Sequence, residues 1–285
     1  NVTVWNGYEK AVMDYRAGVI GYDEFKRQVD YYEQINTDWF DILCKNSFSH
    51  KHTLSLSGGS PNIRYYASVG FNDQQGVIRG EMDRQFTSSL KLNGSFDRLQ
   101  FQFATQVSHA YKKYTPSVDG QSIISYAYTT SRALPAYNED GSLHFYEKGY
   151  AGAAAFLFNM EHEMATTSQR SKDYAVTVTG NVKYRLWDCL NVEGTASCTM
   201  GNLHRETVYE EDSYTVTVLR EYEHTCPLGG EISTLDTRRN SWTARLQFNY
   251  LQEFGPEARH AVHASLGGEL SSSEYVTEEE TKRGY

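Results

Sequence analysis

Residues 52–71 read HTLSLSGGSPNIRYYASVGF and contain two alternating segments around a turn. In the first segment Leu54 and Leu56 alternate with hydroxyl side chains, and in the second, residues 63–71, apolar and polar side chains alternate again. Successive side chains of a β-strand point to opposite faces, so a period of two indicates strands. Gly, Ser and Pro at 58–61 favour a tight turn. The stretch therefore predicts two strands joined by a short connection.

The same period of two recurs along most of the chain. It predicts eight antiparallel strands, at residues 51–57, 62–72, 84–93, 98–111, 172–185, 189–204, 239–252 and 259–273. Several of these segments are much longer than the roughly five or six residues usual for a strand in a soluble sheet. Long strands favour a barrel over a soluble sandwich.

The connections between these strands alternate in length. Short links fall at 58–61, 94–97, 186–188 and 253–258, and the links between them are much longer: 73–83, 112–171 and 205–238. All the short links therefore lie at one end of the strands. Outer-membrane barrels have this layout, whereas soluble β-proteins seldom carry such long links without structure of their own.

Charge divides the two faces of the predicted strands. Six charged residues of the alternating segments share one face: Arg64, Lys91, Lys183, Glu193, Arg245 and Glu269. A lipid-facing Lys or Arg at the bilayer midplane costs about 2–4 kcal/mol, so lipid would exclude charge from the other face, as a sandwich core also would. Aromatic residues near the strand ends are expected in interfacial girdles, although β-propensity also favours them: Phe96, Trp187 and Phe254 at the short links, and Tyr111, Tyr114, Tyr174 and Trp242 at the long ones.

Composition sets further limits on a chain of 285 residues. A net charge of −9 leaves no basic patch for phosphates, so we expect no nucleic-acid partner. The sequence lacks the run of about 18 apolar residues that a transmembrane helix needs. Its start does not resemble a signal peptide, so we expect an internal piece of a longer precursor. The four cysteines lack CxxC spacing, which argues against zinc and leaves their pairing open.

The first 48 residues follow a different period. Apolar residues recur every three or four positions in Tyr8–Tyr15 and Tyr22–Tyr32, which predicts two helices punctuated by Gly21. Residues 36–38, Asn-Thr-Asp, are expected to cap a third short turn at 39–43.

These patterns predict an all-β fold, made of antiparallel strands of a large transmembrane β-barrel. The barrel is partial, with about eight strands. Residues 1–48 are expected to form a short helical extracellular insertion, and residues 49–285 the barrel strands, with long extracellular loops at about 112–171 and 205–238.

Several stretches resemble one family of barrels in order and spacing. They are TDWFD at 37–41, HTLSLSGG at 52–59, RYYASVGF at 64–71, DQQGVI at 73–78 and PAYNEDGSL at 135–143. Together they resemble the SusC/RagA-like TonB-dependent transporters of the outer membrane. The helical opening is similar to that family's variable extracellular insertion.

The resemblance implies a 22-stranded barrel with an N-terminal plug, in the outer membrane of a Gram-negative, Bacteroidetes-like bacterium. It also implies import of oligosaccharides or peptides, a SusD-like surface lipoprotein as partner, and energy supplied through TonB by an N-terminal region that this sequence lacks. Eight strands alone would leave two edges unpaired in lipid, so we do not expect transport by this segment by itself.

No catalytic constellation is evident, and we expect no enzyme activity, cofactor or metal. His162-Glu163-Met164-Ala165-Thr166 departs from the HExxH metalloprotease pattern at Thr166. The acidic runs at 210–212 and 278–280 lack the spacing of an EF-hand loop, so solvated loop charge explains them better.

The long loop offers one ligand surface. Aromatic rings beside hydrogen-bonding groups suit sugars or peptide side chains. The substrate-contact candidates are Tyr126, Tyr128, Tyr137, Asn138, His144 and Tyr146. The alternative is that these aromatics pack the loop against the barrel mouth or against the lid protein.

Two other functions compete with import. One is an outer-membrane barrel for binding or adhesion without transport, and the other is a soluble β-sandwich enzyme. A TonB box and plug upstream in the full-length gene would favour import over adhesion. Release into buffer without detergent would favour the soluble enzyme.

Overall fold

The computed structural model describes residues 4–255 and 259–285. Residues 1–3 of the predicted helical opening and residues 256–258 of the predicted short link at 253–258 lie outside this part. The helices are α1 (Gly7–Arg16), α2 (Tyr22–Glu33), α3 (Trp39–Leu43), α4 (Ile123–Thr129), α5 (Met160–Thr166) and α6 (Tyr214–Glu221). The strands are β1 (Ser49–Gly59), β2 (Ile63–Gln75), β3 (Met82–Phe96), β4 (Leu99–Tyr114), β5 (Tyr146–Tyr150), β6 (Ala154–Phe158), β7 (Thr167–Trp187), β8 (Leu190–Tyr209), β9 (Glu231–Phe254) and β10 (His260–Arg283).

Eight strands form one antiparallel sheet in the order β1-β2-β3-β4-β7-β8-β9-β10, and β5 and β6 form a separate hairpin. The eight predicted strands and the antiparallel all-β fold are confirmed. Most strands extend beyond their predicted ends on the side of the long links. The observed links, 76–81, 115–166 and 210–230, are therefore shorter than the predicted ones. The added segments, such as residues 231–238 of β9, lack the alternation from which the strands were predicted.

The register joins like residues into rows across the sheet. One row consists of hydroxyl and amide side chains: Ser55, Ser68, Ser89, Gln106, Thr177, Thr199, Ser241 and Ser273. The neighbouring row on the opposite face runs through the apolar residues Leu54, Val69, Val107, Val176 and Met200, with Ser88 between Val69 and Val107, and ends with Asn240 and Glu274. We name these the polar face and the apolar face of the sheet.

The polar face is cross-linked by side-chain hydrogen bonds. The Ser68 and Ser89 hydroxyl oxygens are 2.8 Å apart, and those of Thr177 and Thr199 are 3.1 Å apart. The apolar face is exposed: Met200 and Leu246 are 57% and 50% accessible. The sheet thus exposes its apolar face, while polar side chains on its other face form hydrogen bonds with one another. A soluble sandwich has the reverse arrangement, because it buries its apolar face between two sheets.

The buried apolar core lies outside the sheet. It is formed by residues 39–44, which include α3, and by the links 115–166 and 210–230, and we call these three segments together the cap. Its core residues are Trp39, Leu43, Cys44, Val118, Ile123, Tyr126, Ala127, Leu134, Ala136, Phe156, Phe158, Met160, Tyr214 and Val218. The ring of Phe158 lies at the centre, with ring centroids 5.9 Å from Tyr126, 5.6 Å from Tyr146 and 5.4 Å from Tyr214. The cap is therefore packed by contacts among residues far apart in sequence.

The predicted opening helices are present as α1, α2 and α3. The Asp38 carboxylate accepts the backbone N–H groups of Phe40 and Asp41 at 3.1 and 3.2 Å, which caps α3 as predicted. The sequence patterns gave no indication of α4, α5, α6 or the β5–β6 hairpin. In the described part of the chain, every helix is too short or too polar to cross a membrane.

Candidate functional site

All six candidate ligand contacts belong to the cap, on α4, on β5 and in the turn between them. The structure divides them into a pair that packs on the core of the cap, buried Tyr126 and half-buried Tyr146, and four residues outside that core, Tyr128, Tyr137, Asn138 and half-buried His144. The two groups have different chemical roles.

Tyr126 and Tyr146 are joined inside the cap. The Tyr146 hydroxyl donates to the Tyr126 hydroxyl at 2.9 Å, and the Tyr126 ring meets Trp39 edge-on at a centroid distance of 5.2 Å. Burial raises the pKa of Tyr126 to about 12 and raises the pKa of Tyr146 as well. Tyr126 is only 2% exposed, so a ligand cannot reach it in this conformation. Both tyrosines pack within the cap, whereas the alternative interpretation of the sequence placed such aromatics against the barrel mouth or the lid protein.

Tyr137, Asn138 and His144 form an accessible turn. Tyr137 and Leu143 are bridge partners, and the Asn138 Oδ1 lies 2.9 Å from His144 Nδ1. The Tyr137 hydroxyl donates to the Glu161 carboxylate, and this hydrogen bond is the main reason that its pKa is raised to about 12. Partial burial lowers the pKa of His144. His144 therefore positions the Asn138 amide, and Glu161 positions the Tyr137 ring.

A groove of about 350 Å³ lies beside this turn. Tyr137 and Asn138 line one side, and Tyr31, Asn36 and Thr37 contribute from the end of α2 and the segment that follows it. Ligand clefts usually occupy about 300–1,000 Å³ and combine apolar surface with a few polar groups. The groove therefore has the size and chemistry to hold part of a sugar chain or a peptide.

The α2 side of the groove was not among the predicted contacts. It is fixed to the cap because the Thr37 hydroxyl donates to the Leu134 carbonyl at 2.7 Å and Arg132 Nε donates to Asn36 Oδ1 at 2.8 Å. These pairs are almost a hundred residues apart in sequence. The clustering of Tyr31 with Tyr32 was the one local signal that could have marked this side.

Tyr128 lies apart from the groove lining. Its side chain is 76% exposed on α4 and meets the exposed Phe40 ring edge-on, with centroids 4.8 Å apart. An exposed aromatic pair of this kind offers an apolar contact surface at the rim of the cap.

The segment 162–166, which departs from the HExxH metalloprotease pattern at Thr166, has a packing role. His162 Nε2 lies 3.0 Å from the Asp212 carbonyl, and Glu163 Oε1 accepts the backbone N–H of Tyr214 at 2.8 Å. Within residues 4–255 and 259–285, no three His, Cys, Asp or Glu side chains are arranged to hold a metal ion. All four cysteines are free thiols.

No protein-family model matches the chain. Two curated proteins are similar to part of it. The TonB-dependent receptor SusC of Bacteroides thetaiotaomicron is 30% identical over 112 residues, which are 39% of this chain and 11% of that protein. The TonB-dependent receptor P26 of Formosa agariphila is 31% identical over 118 residues, or 40% of this chain and 11% of that protein.

Solved structures resemble the whole chain. The RagAB peptide importer in its closed-closed state has a TM-score of 0.71 over 99% of this chain and 33% of its own, at 18% identity. A second structure of the RagAB peptide transporter has a TM-score of 0.72 over 99% of this chain and 34% of its own, also at 18% identity. The matched segment is homologous to these two TonB-dependent receptors, and the sheet has the fold of a portion of a large β-barrel. The chain spans about a third of the length of the solved structures that it matches.

Proposed function

We propose that this chain is the central barrel portion of a TonB-dependent outer-membrane importer of glycans or peptides. One observation carries the proposal: an eight-stranded sheet whose apolar face is exposed and whose polar face is hydrogen-bonded within itself. Lipid against the apolar face and water against the polar face account for both. The homology to TonB-dependent receptors supports import as the role of such a sheet.

The proposed orientation places the helical opening and the long links outside the cell. Barrels of this class have short periplasmic turns and long extracellular loops. Residues 60–62, 97–98 and 188–189 then face the periplasm, and the cap, with the links predicted at 112–171 and 205–238, faces the medium. The cap is positioned to meet a ligand before it enters the barrel.

The proposed partners follow from the same assignment. A SusD-like surface lipoprotein would cover the cap, and TonB would act through a part of the importer that precedes the barrel strands. The resemblance to a two-component importer supports a lipoprotein partner. The protein would sit in the outer membrane of a Bacteroidetes-like bacterium and transport its cargo without catalysing a reaction.

The proposed ligand contacts are the accessible members of the candidate set, Tyr137, Asn138, His144 and Tyr128, joined by Tyr31 across the groove. The Tyr137 ring and the Asn138 amide suit either a sugar ring or a peptide backbone. Tyr126 and Tyr146 would act behind them, by holding the loop in shape.

Import is tested in the source bacterium by deleting the gene and restoring it on a plasmid. We expect the restored strain to take up labelled oligosaccharides or peptides that the deletion strain excludes, and a protonophore to stop uptake because TonB needs the proton gradient. Cells that bind the ligand but never internalise it would support the adhesion barrel instead. Recovery of the protein in buffer without detergent would refute both membrane roles.

A further inference from the structure

The apolar face of the sheet becomes charged at the end next to the long links. There, three adjacent strands, β3, β4 and β7, carry four cations on this face: Arg84, Lys113, Arg170 and Lys172. We call these four residues the basic strip. At the opposite end of the same face, the three strands end in the uncharged residues Phe96, Leu99 and Tyr184. Positive charge on this face of the three strands is therefore confined to one end.

The cations of the basic strip lie close together. Lys113 is directly opposite Arg170 in the register, and Lys172 is the next residue of β7 on the same face. Side chains directly opposite one another on antiparallel strands have Cβ atoms about 5 Å apart, and diagonal neighbours are about 7–8 Å apart. Like charges directly opposite one another destabilise a sheet. An anion bound over the strip would remove this repulsion.

Most of the basic strip has no anionic partner within the protein. Arg84 Nε pairs with the Asp73 carboxylate at 3.2 Å. Within residues 4–255 and 259–285, the side chains of the other three cations form neither an ion pair nor a hydrogen bond. Glu206 of β8 is the register partner of Arg170, but the two side chains do not form an ion pair. Three neighbouring positive charges therefore remain available to a ligand.

The carboxylates of these strands serve the other face of the sheet. Asp83 and Asp173 are the only acidic residues in β3, β4 and β7, and both lie on the polar face. Asp83 pairs with Lys112 Nζ at 2.9 Å, and Asp173 pairs with Arg239 Nη2 at 2.5 Å. These cations of the polar face are thus neutralised within the protein, whereas the basic strip on the apolar face is not.

The basic strip lies just beyond the apolar band of the sheet. On β7, Tyr174 and Tyr184 enclose the apolar outward positions and are ten residues apart. Ten residues of a strand span about 33 Å, or about 25 Å along the membrane normal at a tilt of about 40°. This is the height of the apolar band of an outer-membrane barrel. In the proposed orientation, Arg170 and Lys172 therefore lie at the headgroups of the outer leaflet.

We propose that the basic strip binds the phosphorylated sugar headgroup of lipopolysaccharide, the lipid of the outer leaflet. Lysine and arginine bind phosphate oxygens through charge-assisted hydrogen bonds, and basic clusters at a membrane surface recognise phosphate-bearing lipids. Tyr111, the register partner of Lys172, and the exposed Tyr174 add aromatic rings that suit a sugar. This inference rests on the membrane location and orientation of the proposed function.

Binding is tested by native mass spectrometry of the full-length importer in detergent, titrated with lipid A, the phosphorylated glycolipid anchor of lipopolysaccharide. The control ligand is the same lipid A after enzymatic removal of its phosphates, which keeps the sugars and the acyl chains. We expect the phosphorylated form to bind about tenfold more tightly, because hydrogen bonds to charged groups are strong. Equal affinity for the two forms would overturn the proposal.

A triple variant locates the binding to the basic strip; its changes are K113Q, R170Q and K172Q. The matched control removes two lysines and one arginine from the polar face: K91Q, K183Q and R245Q. We expect the preference for phosphorylated lipid to vanish in the first variant and to remain in the control. A preference that survives in the first variant, or that is lost equally in both, would place the phosphate elsewhere.

Two further measurements separate charge from packing and lipid from free phosphate. Lys113→Arg combined with Lys172→Arg keeps both charges and should keep the preference; its loss would contradict recognition by charge. A large excess of inorganic phosphate should displace little lipid A, because the acyl chains also contact the apolar band. Complete displacement would assign the strip to free phosphate and refute the lipid.

Uptake by cells distinguishes this inference from the proposed function. Import of labelled oligosaccharides or peptides by a protein that binds both forms of lipid A equally would refute the lipid site and leave the importer standing. A preference for phosphorylated lipid A in a protein that imports nothing would refute the importer and leave the lipid site standing.

Discussion

At the scale of single residues, the face of the sheet on which a residue lies decides which substitutions it tolerates. Gln106 and Val107 are neighbours on β4, and both are exposed, yet Gln106 belongs to the polar face and Val107 to the apolar face. In water the two positions would be nearly equivalent. In a membrane, one faces the aqueous lumen and the other the lipid.

Arginine at these two positions gives opposite expectations. Val107→Arg should lower the free energy of unfolding in lipid by about 2–4 kcal/mol if the residue lies near the bilayer middle, because a charge must enter hydrocarbon. Gln106→Arg should change it little. Denaturant unfolding of the full-length protein in vesicles, followed by its shift on unheated gels, measures both. Equal losses would count against a lipid-facing apolar face.

Glycine at one strand position makes room for an aromatic ring. A Cβ placed on Gly94 would lie 2.1 Å from the ring of Phe101, its partner on the neighbouring strand, so the ring covers the glycine backbone. Gly180 is also a strand glycine on the apolar face, and a Cβ there would meet nothing within 4 Å.

Gly94→Val should therefore displace Phe101 and destabilise the sheet by about 1–3 kcal/mol, the usual cost of overpacking. Gly180→Val is the matched control and should be tolerated. Unfolding midpoints of the two variants compare them directly. A tolerated Gly94→Val would mean that Phe101 moves away without cost.

At the scale of elements, the cap and the sheet are stabilised differently. The sheet depends on its backbone ladder and on its environment, whereas the cap buries a core of its own. Helix α6 is attached to that core in part through Glu163, whose carboxylate accepts the Tyr214 N–H at the start of the helix. Burial is the main reason that the pKa of Glu163 is raised to about 7.

This raised pKa makes cap stability depend on pH. The folded cap holds the Glu163 proton more tightly than the unfolded chain, so the protonated form contributes stability that is present at pH 4 and is lost as pH rises towards about 7. We expect the cap to open at lower denaturant concentration at pH 8 than at pH 5. The measurement is the quenching of the fluorescence of Trp39, which is buried in the closed cap.

Glu163→Gln supplies the control for that pH dependence. The amide oxygen can still accept the Tyr214 N–H, while the titrating group is gone. The variant should open at similar denaturant concentrations at both pH values. A pH dependence that persists in Glu163→Gln would assign the effect to another group of the cap.

At the scale of the whole molecule, antiparallel order and alternating link length place the two kinds of link at opposite ends of the sheet. The turn at 60–62 and the link at 76–81 are joined by the single strand β2, so they should emerge on opposite sides of the membrane. This arrangement gives the proposed orientation a direct test.

An epitope tag inserted at 76–81 should bind antibody on intact cells, because this link shares its end of the sheet with the cap. The same tag inserted at 60–62 should bind only after the outer membrane is permeabilised. Insertions are usually tolerated at exposed connections, such as residues 60–62. Within 76–81 the tag is placed at the exposed Gly80, because Ile78 packs against the core of the cap. The opposite staining pattern would place the cap in the periplasm and overturn the orientation.

The eight strands, their order, the two faces and the three opening helices could be predicted from the amino-acid sequence. Each of these follows from local physics, since alternation and capping act between residues a few positions apart. The outer ends of β9 and β10 were not predicted. Beyond the proposed lipid zone both faces of a strand meet water, so apolar and polar side chains need not alternate there.

Which tyrosines are buried and which are accessible could not be predicted from the sequence, because it depends on how the cap packs. Tyr126, Tyr137 and Tyr214 look alike in sequence, yet Tyr126 and Tyr214 belong to the core of the cap and Tyr137 lines a groove. Their environments depend on Phe158, whose ring meets both Tyr126 and Tyr214, and on Glu161, which accepts the Tyr137 hydroxyl; both are brought to them from separate segments of the cap. Contacts between distant segments form only when the whole cap packs, so local sequence patterns do not predict them.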